Sequence, residues 1–204
     1  MNIFSKVFVS KACQTYHIRF RVCRLLIKEF AAMINQLRID SVWVDAVGNV
    51  LGLIKGSKRS KTIAVDGHLD TVFPEDTDVR VRLKGDTLFA PGIGDNSRGL
   101  AMILSLIRAI TNGNIRTEAD ILFVGSVGEE GLGDLRGVKQ LFSKNSPKID
   151  SWISIDGGAI GRLATNALGS RRYRVTFNGQ GGHSWGAFGI VNPHHTLGDA
   201  INRL

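Results

Sequence analysis

The 204 residues include 43% hydrophobic and 22% charged side chains, a balance typical of folded globular proteins and not of disordered chains. No apolar run nears the roughly 18 residues that span a bilayer, so no membrane association is expected. Cys13 and Cys23 are too few for a disulfide framework or a four-thiolate metal site, and they fit a reducing compartment. The net charge of +8 lies in the first 61 residues, which hold eleven Lys/Arg against three Asp/Glu; the remainder holds fifteen of each and offers no basic face for nucleic acid.

The first 23 residues read as a basic arm without clean helical or strand period, and no acidic residue occurs before Glu29. An organelle targeting peptide is the alternative reading of this acid-poor stretch; otherwise the chain is expected in the cytoplasm. His17 falls in this unassigned arm. Leu25, Leu26, Phe30, Met33, Ile34 and Leu37 then recur at three- and four-residue spacing, which predicts a helix over 24–37. Residues 41–44 and 50–54 predict a hairpin around a loop in which Gly48 takes the positive φ.

A short apolar run at 62–65 predicts a buried strand ending at Asp66-Gly67-His68-Leu69-Asp70. Residues 79–83 and 87–89 predict a second hairpin around Lys84-Gly85-Asp86. The spacing of Leu100, Ile103, Leu104, Ile107 and Ile110 predicts a helix over 97–111 that Gly113 can end. A buried strand at 121–124 leads into Gly128-Glu129-Glu130-Gly131 and a helix through Leu135 to Phe142. Residues 152–155 predict a third buried strand, ending at Asp156-Gly157-Gly158. Residues 172–177 predict a strand, followed by a glycine-rich loop carrying His183, and Asn192-Pro193 predicts the cap and first turn of a helix through Leu197 and Ile201. His194 and His195 read as a solvated helix start. Strands alternating with helices imply an α/β layered fold with a mostly parallel sheet.

Ligands of open α/β sheets bind beyond the carboxyl ends of the strands, where this sequence places His68, Asp70, Glu129, Glu130 and Asp156, with Asp95 at the entry to a helix. Singly, each motif has a plainer reading: a turn with a surface histidine, or a solvated glutamate pair. Their conjunction on one side of one sheet points to a site. Several carboxylates crowded round one imidazole repel each other if left ionised and unpaired, a divalent cation removes that problem, and nitrogen and oxygen donors without sulfur suit zinc, cobalt or manganese.

The ordered segments GHLDTV, PGIGDNSRG, VGEEG, SIDGG and GGHSWGAFG resemble the signatures of the co-catalytic di-zinc metallopeptidases, the group of tripeptidase T, glutamate carboxypeptidase, acetylornithine deacetylase and aminoacylase. The likeness is greatest to the tripeptidase T-like branch. It implies a three-layer phosphorylase/hydrolase-like catalytic domain over residues 24–165 and the start of an α+β lid, or dimerisation, domain over 166–204. It implies two divalent metal ions, zinc first. His68 and Asp156 would bind one ion, Asp95 would bridge, and Glu130 would bind the other. Asp70 would be the carboxylate that orients the His68 imidazole, Glu129 the general base, and His183 the lid residue that stabilises the reacting carbonyl oxygen.

The implied activity is hydrolysis of short peptides from one end, in a homodimer when full length. Deacylation of N-acyl amino acids and an inactive metal-binding or dimerising fragment are the alternatives. The chain stops inside the first lid helix and lacks the carboxy-terminal histidine that the family uses for the second metal, so a fragment is expected.

Overall fold

The computed structural model describes residues 21–74, 77–144, 146–171 and 173–203. The basic arm, with Cys13 and His17, therefore lies outside the described residues except for its last three positions. The chain divides into two compact units, one ending at Arg162 and the other running from Leu163.

In the first unit, helix α1 (Arg21–Asn35) buries Leu26, Phe30 and Ile34, which lie at four-residue spacing on one face. Strands β1 (Ser41–Val44) and β2 (Val50–Ile54) form the predicted hairpin. Its loop is held by the Asp45 carboxylate, which accepts from the backbone N–H of Val47, Gly48 and Asn49, and Gly48 takes φ 101°. Strand β3 runs from Thr62 to His68, three residues beyond the predicted end. Asp66-Gly67-His68 reads as a turn by composition, yet its backbone continues the pairing, with Asp66 opposite Val124 and His68 opposite Ser126.

Strands β4 (Arg82–Lys84) and β5 (Thr87–Phe89) make a separate small hairpin. An irregular turn, Ile93–Ser97, then leads into helix α2 (Arg98–Asn112). Helix α2 ends at Gly113 as predicted, but the left-handed residue is the next one, Asn114, at φ 49°. Strand β6 (Asp120–Ser126), helix α3 (Arg136–Leu141) and strand β7 (Ser151–Ser154) complete the unit.

The five strands lie in the order β1-β2-β6-β3-β7. The hairpin joins β6 antiparallel, whereas β6, β3 and β7 run parallel. Helices α1 and α2 pack on one face around Phe30, Ile34, Val50, Val65, Ile103, Ile107 and Phe123, all buried. Leu141 of α3 packs on the other face, against Leu51, Ala64, Leu122 and Val124. Each such side chain contributes about 1.5–3 kcal/mol, so these two layers set the position of the sheet. This helix–sheet–helix layering is the α/β fold expected.

Strand β7 departs from the expectation of burial. It forms the sheet's edge, and Ile153 is 51% exposed. A short apolar run predicts a strand but not its rank in the sheet.

In the second unit, helix α4 (Pro193–Asn202) starts as predicted, with the Asn192 side chain accepting from the His194 backbone N–H at 2.9 Å. The strand expected at 172–177 is not formed over the described residues 173–177. A strand exists by pairing, and α4 is the regular element described in this unit.

Asp66 is the one acidic side chain in the middle of a central strand. It is 4% exposed, Ser154 Oγ donates to its Oδ2 at 3.3 Å, and its Oδ1 has no hydrogen-bond partner among the described residues. Burial pushes its carboxyl up to about 6, so the folded state holds this proton more tightly than the unfolded chain does. Its contribution is complete below the unfolded value near 4 and is lost as pH rises through 6. Asp66→Asn should therefore raise stability at pH 7.5 by up to about 3 kcal/mol and leave it little changed at pH 4. Denaturant unfolding at the two pH values checks this.

Candidate metal centre

The parallel pairing of β6, β3 and β7 brings three chain segments out at one edge of the sheet. His68 is the last residue of β3. Leu69 N–H donates to Ser126 O at 2.7 Å, which ties the ends of β3 and β6 together just before Glu129 and Glu130. Ile155 N–H donates to Asp66 O at 2.7 Å, which does the same for the end of β7 just before Asp156.

Asp95 arrives by a different route, from the turn that precedes α2. There the buried Asn96 donates from Nδ2 to Ile155 O at 2.8 Å, so one side chain fixes Asp95 relative to the approach to Asp156. Gly99 makes room for this bond. A Cβ there would sit on Asn96 Oδ1 and 2.6 Å from Ile155 O. Gly157 similarly lets Asp95 approach, since a Cβ there would lie 3.1 Å from Asp95 Cβ. The importance of Asn96 was not read from the sequence, where it stood as one polar residue inside a glycine-rich motif.

The centre is built round the His68 imidazole, which is 3% exposed. Nε2 lies 2.8 Å from Asp95 Oδ1, 3.4 Å from Asp156 Oδ1 and 4.0 Å from Glu129 Oε2. Ligand-capable atoms of His68, Asp95 and Asp156 form one cluster, and those of His68, Glu129 and Glu130 a second. The carboxylates of Asp95 and Asp156 are about half exposed, so the imidazole forms the floor of an open acidic cleft.

On its other side, His68 Nδ1 faces the Asp70 backbone carbonyl at 2.9 Å. A carbonyl oxygen only accepts, so Nδ1 carries a proton and donates it. The contact differs from the expected one. The Asp70 carboxylate stands 4.0 Å from Nδ1, too far for a hydrogen bond, and accepts instead from three backbone N–H groups: Gly128 at 2.8 Å, Glu129 at 3.1 Å and Glu130 at 2.9 Å.

Burial alone would lower the His68 pKa, but the charges of Asp70, Asp156 and Glu129 and the bond to Asp95 outweigh it and hold the imidazole above its ordinary range. Glu129 and Glu130 are both raised, chiefly by burial. For Glu129 the charges of Asp156, Asp70 and Asp95 add to this against the pull of His68. For Glu130 the largest charge effect is that of Asp95.

This donor set fits a divalent cation. Both ring nitrogens face oxygen atoms, and a metal ion at Nε2 would satisfy the same carboxylates. One nitrogen and several oxygens, without sulfur, suit zinc, cobalt or manganese.

Six of the seven expected site residues thus lie in the first unit, gathered at the strand ends. His183 belongs to the second unit, where its Nδ1 accepts from the backbone N–H of Trp185 and of Gly186, each at 3.2 Å. Among the described residues no helix is long and apolar enough to cross a membrane.

Similarity to known proteins agrees with this geometry. The chain is 26% identical to carboxypeptidase G2 of Pseudomonas sp. (strain RS-16) over 143 residues, which is 68% of this chain and 34% of that protein. It is 24% identical to the uncharacterized protein YqjE of Bacillus subtilis (strain 168), covering 80% of this chain and 45% of the relative. The chain thus spans between a third and a half of the curated relatives it matches. Among solved structures, aminopeptidase PepT of Bacillus cereus superposes with TM-score 0.57 at 21% identity over 76% of this chain and 42% of that one. A tripeptidase of Staphylococcus aureus gives 0.57 at 22% over 76% and 43%. At this identity the superpositions speak for the fold, and they match the expected hydrolase-like catalytic layers. The model of peptidase family M28 matches residues 49–183, more than half of the sequence, and the chain belongs to that family.

Proposed function

We propose that this chain carries the metal-binding part of a divalent-metal-dependent hydrolase that removes a terminal residue from short peptides, as a tripeptidase does. The observation that carries the reading is the gathering of Asp95 with Asp156, and of Glu129 with Glu130, round a buried histidine whose Nδ1 is committed to a carbonyl. The choice of short peptides is supported by the resemblance of the five motifs to the tripeptidase T-like branch and by the fold shared with the Staphylococcus aureus tripeptidase. Residues 24–165 form the metal-binding part in this reading, and 166–204 begin a lid.

His68, Asp95 and Asp156 would hold one ion, and Asp95 with Glu130 a second. Bound there, the ions supply Lewis acidity, which makes water a nucleophile near neutral pH and polarises the scissile carbonyl. Glu129 Oε2 takes the proton from the attacking water and passes it to the nitrogen of the leaving amine. The Asp70 carbonyl keeps the His68 ring fixed and its second nitrogen protonated away from the ion. The resemblance gives His183 the part of stabilising charge on the carbonyl oxygen.

The reading is tested by incubating the chain with tripeptides and with N-acetyl amino acids in the presence of zinc, cobalt or manganese. Release of a terminal amino acid from tripeptides, stopped by a chelator and restored by zinc, is expected. Faster cleavage of the acetylated compounds would favour the deacylase alternative. Absence of both zinc binding and hydrolysis would overturn the reading.

The adjacent glutamates should separate by experiment. Glu129→Gln should keep its zinc and lose about a hundredfold to ten-thousandfold in turnover, the contribution of one general base. Glu130→Gln should instead bind less metal. Metal analysis of both variants beside their rates checks the assignment, and equal metal loss in the two would reverse it.

Zinc affinity should also depend on pH with a definite sign. Zinc competes with a proton for Nε2, and the surrounding carboxylates hold that proton above the ordinary histidine value of about 6.5. Affinity should therefore begin to fall above pH 6.5 as the solution is acidified, and calorimetric titrations between pH 8 and 5.5 should show it. A decline confined to pH below 5 would point to carboxylate protonation as the cause.

A further inference from the structure

We propose that Asp70 is the positioning residue of the Gly128–Glu130 turn: its carboxylate fixes the backbone that aims both glutamates at the metal centre. This rests on the functional reading above for the roles of those glutamates, but not for the clamp itself.

Three consecutive backbone N–H groups converge on one carboxylate, Gly128 and Glu129 on Oδ1 and Glu130 on Oδ2. Successive amides converge on a common acceptor where the backbone changes hand, and Gly128 supplies this with φ 74°. A side chain at position 128 would be strained at this φ and would displace the Arg136 side chain, whose Cγ would lie 2.9 Å from its Cβ.

Val127 just before the turn is buried, and Glu130 O accepts from Gly133 N–H at 2.9 Å, but the turn itself is rich in glycine and Leu132 just beyond it is 62% exposed. Charge-assisted bonds to a mostly buried carboxylate are the strong interactions available. Asp70 is itself anchored, because Leu69 N–H is bonded to Ser126 O at the end of β6. The carboxylate thus refers the loop after β6 to the end of β3, the strand that carries His68. The imidazole donates to the Asp70 carbonyl at 2.9 Å and so needs no hydrogen bond to that carboxylate, whose charge acts on it from 4.0 Å.

The test is Asp70→Asn in the 204-residue chain, read by amide hydrogen exchange and by titration with zinc alone. The carboxamide keeps the size of the side chain but presents one oxygen and an NH2 group to three donors. The amides of Gly128, Glu129 and Glu130 should exchange about tenfold to a hundredfold faster, while those of β3 and β6 keep their protection. The tighter zinc site should change by less than about tenfold, the lower bound for losing the hydrogen-bond partner of a ligating imidazole.

Unchanged exchange at the three amides would overturn the proposal. So would a larger loss of tight zinc without faster exchange, since that would return the carboxylate to the imidazole. If the variant does not fold, the unsubstituted chain decides: its three amides should exchange at least about tenfold slower than in an unstructured peptide of the same sequence, and peptide-like rates would overturn the clamp. A chain that binds no zinc yet protects these amides would refute the metal reading and leave the clamp standing.

Discussion

The centre depends on one constraint, the parallel pairing of β6, β3 and β7. Parallel neighbours end at the same edge of a sheet, so the residues that follow them emerge together whatever their distance in sequence. His68 closes β3, Glu129 and Glu130 follow β6, and Asp156 follows β7. The hydrogen bonds Leu69 N–H to Ser126 O and Ile155 N–H to Asp66 O set the stagger of the three exits to within a residue. Asp95 has no strand to deliver it, and its place is set instead by Asn96 reaching Ile155 O through the gap left by Gly99. The two faces of the sheet are filled by apolar layers that contain none of these groups. The core fixes the strands, and the strands fix the chemistry.

Electrostatics then determine what the cleft accepts. Burying an imidazole ordinarily disfavours its charged form, yet here the surrounding carboxylates reverse the sign. The same crowding works against the acids themselves, because burial and mutual repulsion raise both Glu129 and Glu130. A cleft in which a base holds its proton too firmly and the acids give theirs up reluctantly lacks positive charge. A divalent cation relieves both tendencies at once, which is why residue types that would be costly side by side are compatible here.

The sequence made some of this legible and not the rest. Strands β2 and β6 and helix α2 were readable because apolar runs and three-to-four spacing follow directly from which face meets the core. The last three residues of β3 were not, because Asp66-Gly67-His68 has the composition of a turn, and backbone pairing is indifferent to composition when both neighbouring strands are in place. The exposure of β7 was hidden because rank in a sheet is a property of the whole topology. Residues 173–177 alternate as a strand does, but alternation supplies a face and not a partner. At the centre, residue types and their order were legible, and which atom of a residue does the work was not. Spacing placed Asp70 two positions after His68; it could not say that the main-chain oxygen would take the imidazole and leave the carboxylate free.

That division of labour follows from the geometry at the end of a strand. Beyond the last paired residue the carbonyl of a residue two positions on can turn back toward the strand, while its side chain continues across to the neighbouring loop. Asp70 does both, with its carbonyl at His68 Nδ1 and its carboxylate under the amides of Gly128, Glu129 and Glu130. A serine or asparagine could supply the carbonyl equally well. Only a carboxylate offers two charged oxygens to three donors without a donor of its own. The loop after β6 therefore asks for a carboxylate at this position, and its charge also acts on the histidine two residues before it. The His68 imidazole and the Glu129 turn are accordingly linked through Asp70 as well as through the Leu69–Ser126 bond.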